Sequence, residues 1–281
     1  MKHTIRLVAL DLDGTLLNKD KEISSANRAA LAAVQAEGIL VVPITGRPAQ
    51  GLPKAVLELP EIRYVVTSNG ATIRDLIRGE TLLERHLDAD ICLKVLAHSR
   101  DYPIIREVFR EGIGYLSQAD YDHLCQRYQG TALLPYFKES RRVVPGTLDD
   151  FLRQDPRPVE ELFFLTESPE MRNRLRLTLA SLPCIAFAEP FPSDLEVLAG
   201  SIDEGVALAY LLRLLGIDRS ETLAIGDGGS DLPMLEQAGI GIAMANAGHS
   251  VQAAADFVTA SCDEDGVAQA LERFILSKDP Q

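Results

Sequence analysis

The sequence predicts an α/β protein in which a doubly wound parallel sheet forms the core and an α+β block is inserted into it. Three observations carry this expectation. At both ends of the chain, short apolar runs alternate with stretches of helical periodicity, the pattern of strand–helix–strand units. Most of these runs end in carboxylate, hydroxyl, amide or glycine residues. Between residues 86 and 189 the rhythm changes to hairpins, extended runs and helices in irregular order. The expected core is therefore 1–85 together with 190–281, with the block 86–189 between its halves.

Leu7–Leu10 reads as a strand buried on both faces, followed at once by Asp11 and Asp13. Ser24 or Ser25 can cap a helix through Ala26, Ala30, Leu31 and Val34, closed by Gly38. Residues 39–44 form a second strand ending in Thr45-Gly46-Arg47-Pro48, and a short helix is expected over 48–57. Residues 64–66 make a third strand, ending in Thr67-Ser68-Asn69-Gly70, and a hairpin with Gly79 at its turn follows. Inside the block, helices are expected over 88–99, 118–128, 147–152 and 169–182. Extended runs are expected near 104–109, 113–116, 142–144, 161–166 and 184–187. The core rhythm then returns: a strand at 195–198, a helix from Asp203 to Leu215, and a strand at 223–225 ending in Gly226-Asp227-Gly228-Gly229-Ser230-Asp231. A helix at 232–238, a strand at 240–243, a helix at 249–254, a strand at Phe257-Val258 and a helix from Gly266 complete the chain.

The 281 residues suffice for a full core and two domains, and the 46% hydrophobic, 25% charged composition is that of an ordinary globular protein. A formal net charge of −13 argues against nucleic acid or an anionic membrane as partner, since both require a basic surface. The four cysteines, Cys92, Cys125, Cys184 and Cys262, stand far apart and read as reduced thiols in a reducing compartment. With no stretch long enough to span a membrane and no signal-peptide pattern, a cytoplasmic protein is expected.

In an open parallel sheet, ligands bind beyond the carboxyl ends of the strands. Strand ends bearing Asp11/Asp13, Thr45-Gly46, Asn69-Gly70 and Asp227/Asp231 would meet at that edge. Two unit charges near 4 Å repel by about 4 kcal/mol at an effective dielectric of 20, so such a set calls for a hard cation. Magnesium takes a few carboxylates and completes its shell with water and substrate phosphate. A phosphate-bearing ligand follows.

The motif Asp-Leu-Asp-Gly-Thr-Leu-Leu from Asp11, with Thr45-Gly46-Arg47, Ser68-Asn69-Gly70-Ala71 and Gly226-Asp227-x-x-x-Asp231, resembles the haloacid-dehalogenase superfamily. Met234-Leu235, Ala243-Met244-Ala245-Asn246-Ala247 and Asp263-Glu264-Asp265-Gly266-Val267 resemble its Cof-like sugar-phosphatase branch. That resemblance implies a Rossmann-like core with an α+β cap that closes over the site and chooses the substrate. It implies Asp11 as nucleophile and Asp13 as general acid–base. It implies Mg2+ held by Asp11, the Asp13 main-chain carbonyl and Asp227, with Asp231 close by. Thr45 and Gly46 would hold phosphate, and Asn69, Asn246 and Arg47 would line the site. The implied activity is magnesium-dependent hydrolysis of a small phosphomonoester, a sugar phosphate or similar metabolite.

One position departs from the pattern. Where the branch has lysine followed by glycine, this chain has Glu204-Gly205. That lysine would neutralise phosphate and steady the nucleophile, so glutamate there reverses two units of charge beside an acidic centre. Three accounts are open: a cation from elsewhere (Arg47, Lys94 or Lys138) substitutes; Glu204 turns outward at its helix N-terminus; or the protein binds metal and phosphate in a regulatory role without turnover. A phosphomutase shares the opening motif and is a further alternative. Ser230, where asparagine is usual, is a lesser departure.

Overall fold

The computed structural model describes residues 4–59, 62–131, 133–189, 191–200 and 202–277. Taken in order, the chain opens with β1 (Leu7–Leu10), α1 (Ser25–Ala36), β2 (Leu40–Pro43), α2 (Lys54–Leu57), β3 (Tyr64–Thr67), β4 (Thr72–Asp75) and β5 (Glu80–Glu84). There follow α3 (Ala89–Ser99), β6 (Ile105–Arg110), β7 (Ile113–Leu116), α4 (Gln118–Arg127), α5 (Leu133–Ser140), β8 (Arg141–Val143), α6 (Leu148–Gln154), β9 (Glu161–Leu165), α7 (Pro169–Leu179), β10 (Ile185–Ala188) and β11 (Asp194–Ala199). The last stretch holds α8 (Glu204–Leu215), β12 (Thr222–Gly226), α9 (Leu232–Gln237), β13 (Ile240–Ala243), α10 (His249–Ala254), β14 (Phe257–Val258) and α11 (Gly266–Leu271).

The chain divides into two compact units. The first comprises Met1–Gly46, Leu52–Leu83 and Asp203–Gln281. Its main sheet is parallel, in the order β14-β13-β12-β1-β2. The strand β3 extends this edge through a parallel bridge between Ile44 and Val66 and starts the antiparallel set β3-β4-β5. Central strands β1 and β12 are wholly buried, as their unbroken apolar runs require. Leu10, Leu12, Leu31, Val34, Leu223 and Ile242 belong to the core they share with α1 and α11. Ser24, rather than Ser25, caps α1 by accepting from the Asn27 amide.

The second unit comprises Arg47–Gly51 and Glu84–Ile202, built on a six-stranded sheet in the order β10-β11-β9-β6-β7-β8. One face is buried by α3, α6 and α7 around Val95, Val108, Leu152, Leu162, Phe164, Leu175 and Val197. Here one expectation is corrected. Leu195–Leu198, expected in the parallel core after a boundary at 190 (a residue outside those described), lies in β11 and pairs antiparallel with both β9 and β10. The reason is legible in the strand itself: Asp194-Leu195-Glu196-Val197 alternates, as a two-faced antiparallel strand does, whereas a core parallel strand is apolar throughout. The helix α5 has no counterpart among the expected elements, and it contains Pro135. This proline stands in the first turn, where its lacking N–H leaves no bond unmade. Among the described residues, no helix is long and apolar enough to cross a membrane.

Candidate active site

The site grows from the carboxyl ends of β1 and β12. The Asp11 amide donates to the Ile225 carbonyl at 3.0 Å, fixing the first residue past β1 against its neighbour strand. Gly14 then turns the chain with φ of +88°, and a side chain there would collide with the Asp227 carboxylate. Glycine is therefore required twice over, by its dihedral and by the close approach. Asp11, Asp227 and Asp231 each point one carboxylate oxygen into a common space, all within 4.8 Å of one another.

This clustering is visible in the acidities. Burial, and then the charges of Asp231, Asp227 and Asp13, hold the Asp11 carboxyl well above the usual carboxylate range. Burial and the neighbouring Asp231 push Asp227 up to about 6, while hydrogen bonds from Thr15 and Asn246 work against that rise. Asp231 is raised chiefly by burial. Its Oδ2 accepts from the Asp227 and Gly228 amides, each at 2.8 Å, so Asp231 shapes the loop after β12 as well as facing the cluster. Asp11 Oδ2 is buried and has no hydrogen-bond partner. An orphaned oxygen in a nest of three raised carboxylates fits a hard divalent cation with oxygen ligands.

Asp13 lies apart from that trio. Its Oδ1 meets Lys21 Nζ at 2.7 Å, and its side chain is 26% exposed, so it stands towards solvent while Asp11 is buried. Thr45 is buried past β2, its amide bonded to the Val66 carbonyl at 3.1 Å and its own carbonyl accepting from the Asn69 amide at 3.2 Å. Gly46 lies against the Asn69 side chain, which a β-carbon at Gly46 would meet at 3.0 Å. Asn246 Nδ2 donates to the Gly14 carbonyl at 2.8 Å and to Asp227 Oδ2 at 3.0 Å, joining the loops after β1 and β12. Arg47 belongs to the second unit, where it donates to the Gly51 carbonyl at 2.8 Å and lies over the Tyr136 ring.

Glu204 is the position that tertiary structure decides. It does not turn outward: it is 1% exposed and stands close enough to Asp231 to act on that carboxyl. Helical spacing explains the inward aim, because Glu204, Leu208, Leu211 and Leu212 share the buried stripe of α8. Gly205 lets that stripe approach closely, since a β-carbon there would strike the Pro233 carbonyl of α9. A second buried carboxyl beside Asp231 adds an acid at this end of the sheet and supplies no cation. Of the substitutes expected from sequence, Arg47, Lys94 and Lys138, all lie in the second unit. Lys21, which sequence reasoning missed, is a cation paired with an aspartate of the opening motif, Asp13. Thr15 was also missed; buried, it donates to Asp227 Oδ1 at 3.4 Å. Its signal was its place in the opening motif, whereas Lys21 gave none beyond being a cation a few residues downstream.

A parallel sheet with an acidic, cation-fitting centre at its carboxyl edge, joined to an inserted antiparallel α+β unit, defines an α/β enzyme of the hydrolase class. The chain belongs to the haloacid dehalogenase-like hydrolases, whose family pattern matches residues 8–271. The Bacillus subtilis protein YxeH is 32% identical over 282 residues, covering 97% of this chain and 99% of its own. The 5-amino-6-(5-phospho-D-ribitylamino)uracil phosphatase YcsE of Bacillus subtilis is 27% identical over 278 residues, 97% of this chain and 96% of its own. A haloacid dehalogenase-like hydrolase from Bacteroides thetaiotaomicron superposes with a TM-score of 0.80 at 31% identity, covering 97% of this chain and all of its own.

Proposed function

We propose that this haloacid-dehalogenase-type phosphatase hydrolyses a small phosphomonoester, a sugar phosphate or similar metabolite, in a magnesium-dependent reaction through Asp11. The observation that carries this reading is the contrast between the two aspartates of one strand end. Asp11 is buried with an unpartnered oxygen, and Asp13, two residues on, is part-exposed on a lysine. Such a pair divides covalent and acid–base work. An Asp11 oxygen attacks phosphorus, and the departing alkoxide takes a proton from Asp13. Asp13 then accepts a proton from water as that water attacks the aspartyl-phosphate, which returns Asp11 and releases inorganic phosphate. Thr45 and the Gly46 amide hold phosphate oxygens, Asn69 and Asn246 keep the surrounding loops in register, and Asp231 positions Asp227. Magnesium, bound by Asp11, Asp227, Asp231 and the Asp13 carbonyl, would neutralise the carboxylates and the charge developing on the phosphoryl group.

Residues 84–202 act as the cap that selects the substrate, and the four free cysteines support a cytoplasmic location. Glu204 makes the phosphatase slow, because the charge expected there has the wrong sign for phosphate. Its burial also favours one second reading, a metal- and phosphate-binding regulatory protein without turnover. The two separate on one experiment: wild type and Asp11→Asn are assayed with magnesium on an aryl phosphate and a panel of metabolite phosphates. Turnover lost in the variant supports the enzyme. Wild type no faster than the variant on every compound supports the regulatory reading.

A further inference from the structure

The second unit carries a concentration of buried charge that the chemistry above leaves unused. In the sheet register, Glu107 of β6 and Glu196 of β11 both stand opposite Phe163 of β9, on either side of it. One step along, Glu161 stands opposite Phe109; one step the other way, Asp194 and Ile105 both stand opposite Leu165. Residues directly opposed across a sheet share a face. Glu107, Glu161, Glu196 and Asp194 therefore surround Phe163 on the face turned away from α3, α6 and α7. Tyr128 and Phe137 pack beside Phe163 on that side.

All four acids are buried, while Phe163 is only partly so. Arg141 is the buried cation among them, its Nε on Glu107 Oε2 at 2.7 Å and its guanidinium over the rings of Phe109, Tyr136 and Phe137. Arg127 and Arg172 act on Asp194 from the flank. Even so, Glu107 Oε1 and Glu161 Oε2 are buried without any hydrogen-bond partner. Burial and the surrounding acids hold Glu161 well above the usual carboxylate range. A buried carboxyl oxygen without a donor costs stability unless a ligand supplies one.

We infer that this face is a binding site for an organic cation, an ammonium or guanidinium group that takes the free oxygens of Glu161 and Glu107 and lies over Phe163. Three features select that chemistry. The acids have the sign for a cation, and an aromatic face adds attraction for one. Glu107 and Glu196 stand two strands apart, about 10 Å between backbones, a span for an organic group rather than a bare ion. Among the described residues, the carboxylates close enough to share one metal ion are Asp11, Asp227 and Asp231, none of them on this face. The chain already holds one guanidinium in this manner, that of Arg141 between Glu107 and three rings.

The ligand is a free amine, so the inference does not rest on the phosphatase reading. Calorimetric titration of the full chain with glucosamine, agmatine and the neutral control glucose tests binding directly. An amine should be preferred over the neutral control by about tenfold or more, the size of a charge-assisted hydrogen bond. That preference should fall below about threefold in Glu161→Gln and in Glu196→Gln, whose melting curves report folding separately. Equal response to the amines and to glucose, or a preference that survives both substitutions in folded protein, overturns the inference.

Discussion

The buried carboxyl of Glu204 stands beside that of Asp231, and Asp231 in turn holds the amides of Asp227 and Gly228. An acid thus stands at the start of α8, beside the loop that carries Asp227 and Asp231.

Glu204→Lys should raise kcat/KM on an aryl phosphate by about tenfold or more, because an ammonium beside Asp231 would bring to the acidic centre the charge that a phosphate needs. Steady-state kinetics of the two forms settle this. An unchanged or lower rate in a folded variant would mean that the site already works around Glu204.

Asp11→Asn should reduce turnover by about a thousandfold or more, since an amide cannot serve as the phosphoryl acceptor. The same change removes one of the mutually repelling carboxyls, so the metal-free variant should melt above wild type. Calorimetry in chelator checks the second half without reference to activity.

Burial lifts Asp227 from 3.8 in the unfolded chain to about 6 in the folded one. Between those values the folded state holds a proton that the unfolded state has released. Its stability contribution is therefore greatest below the lower value and is lost as pH rises through the upper one. Relative to Asp227→Asn, metal-free wild type should lose melting temperature between about pH 4 and pH 7, and the shift produced by magnesium should grow over the same range. Parallel pH series with chelator and with magnesium measure both trends; a flat difference would refute the assignment.

Lys21→Met removes one ion-pair partner of the Asp13 carboxylate. The pair is part-exposed, so its effect on stability should be small, below about 1 kcal/mol. Its effect on chemistry should be larger, a several-fold drop in kcat with an altered pH profile, because Asp13 loses a cation that helps to orient it. A variant with wild-type kcat and pH profile would remove Lys21 from the reaction.

Gly205→Ala should destabilise the protein by about 2 kcal/mol or more, since the added methyl meets the Pro233 carbonyl of α9, which has no room to withdraw. Denaturant unfolding gives the value. A change below about 0.5 kcal/mol would show that α8 and α9 can move apart.

What the sequence by itself determined is local and periodic. Unbroken apolar runs at 7–10 and 223–225 specified buried parallel strands, and the acids and glycines just beyond them marked one edge of the sheet. Asp11, Asp227 and Asp231 were legible because a strand end fixes which way its next residues face. Tertiary structure decided the rest. The alternation in β11 became antiparallel pairing once β9 and β10 lay on either side of it. Lys21 reached Asp13 from the turn that Asn18 builds by accepting from the Asp20 and Glu22 amides, and such a turn does not say which side chain its residues meet. Glu204 could have faced solvent or the core; its place on the buried stripe of α8, pressed against α9 through Gly205, brought it to Asp231. Helical spacing says which residues share a face, but only packing says what that face meets.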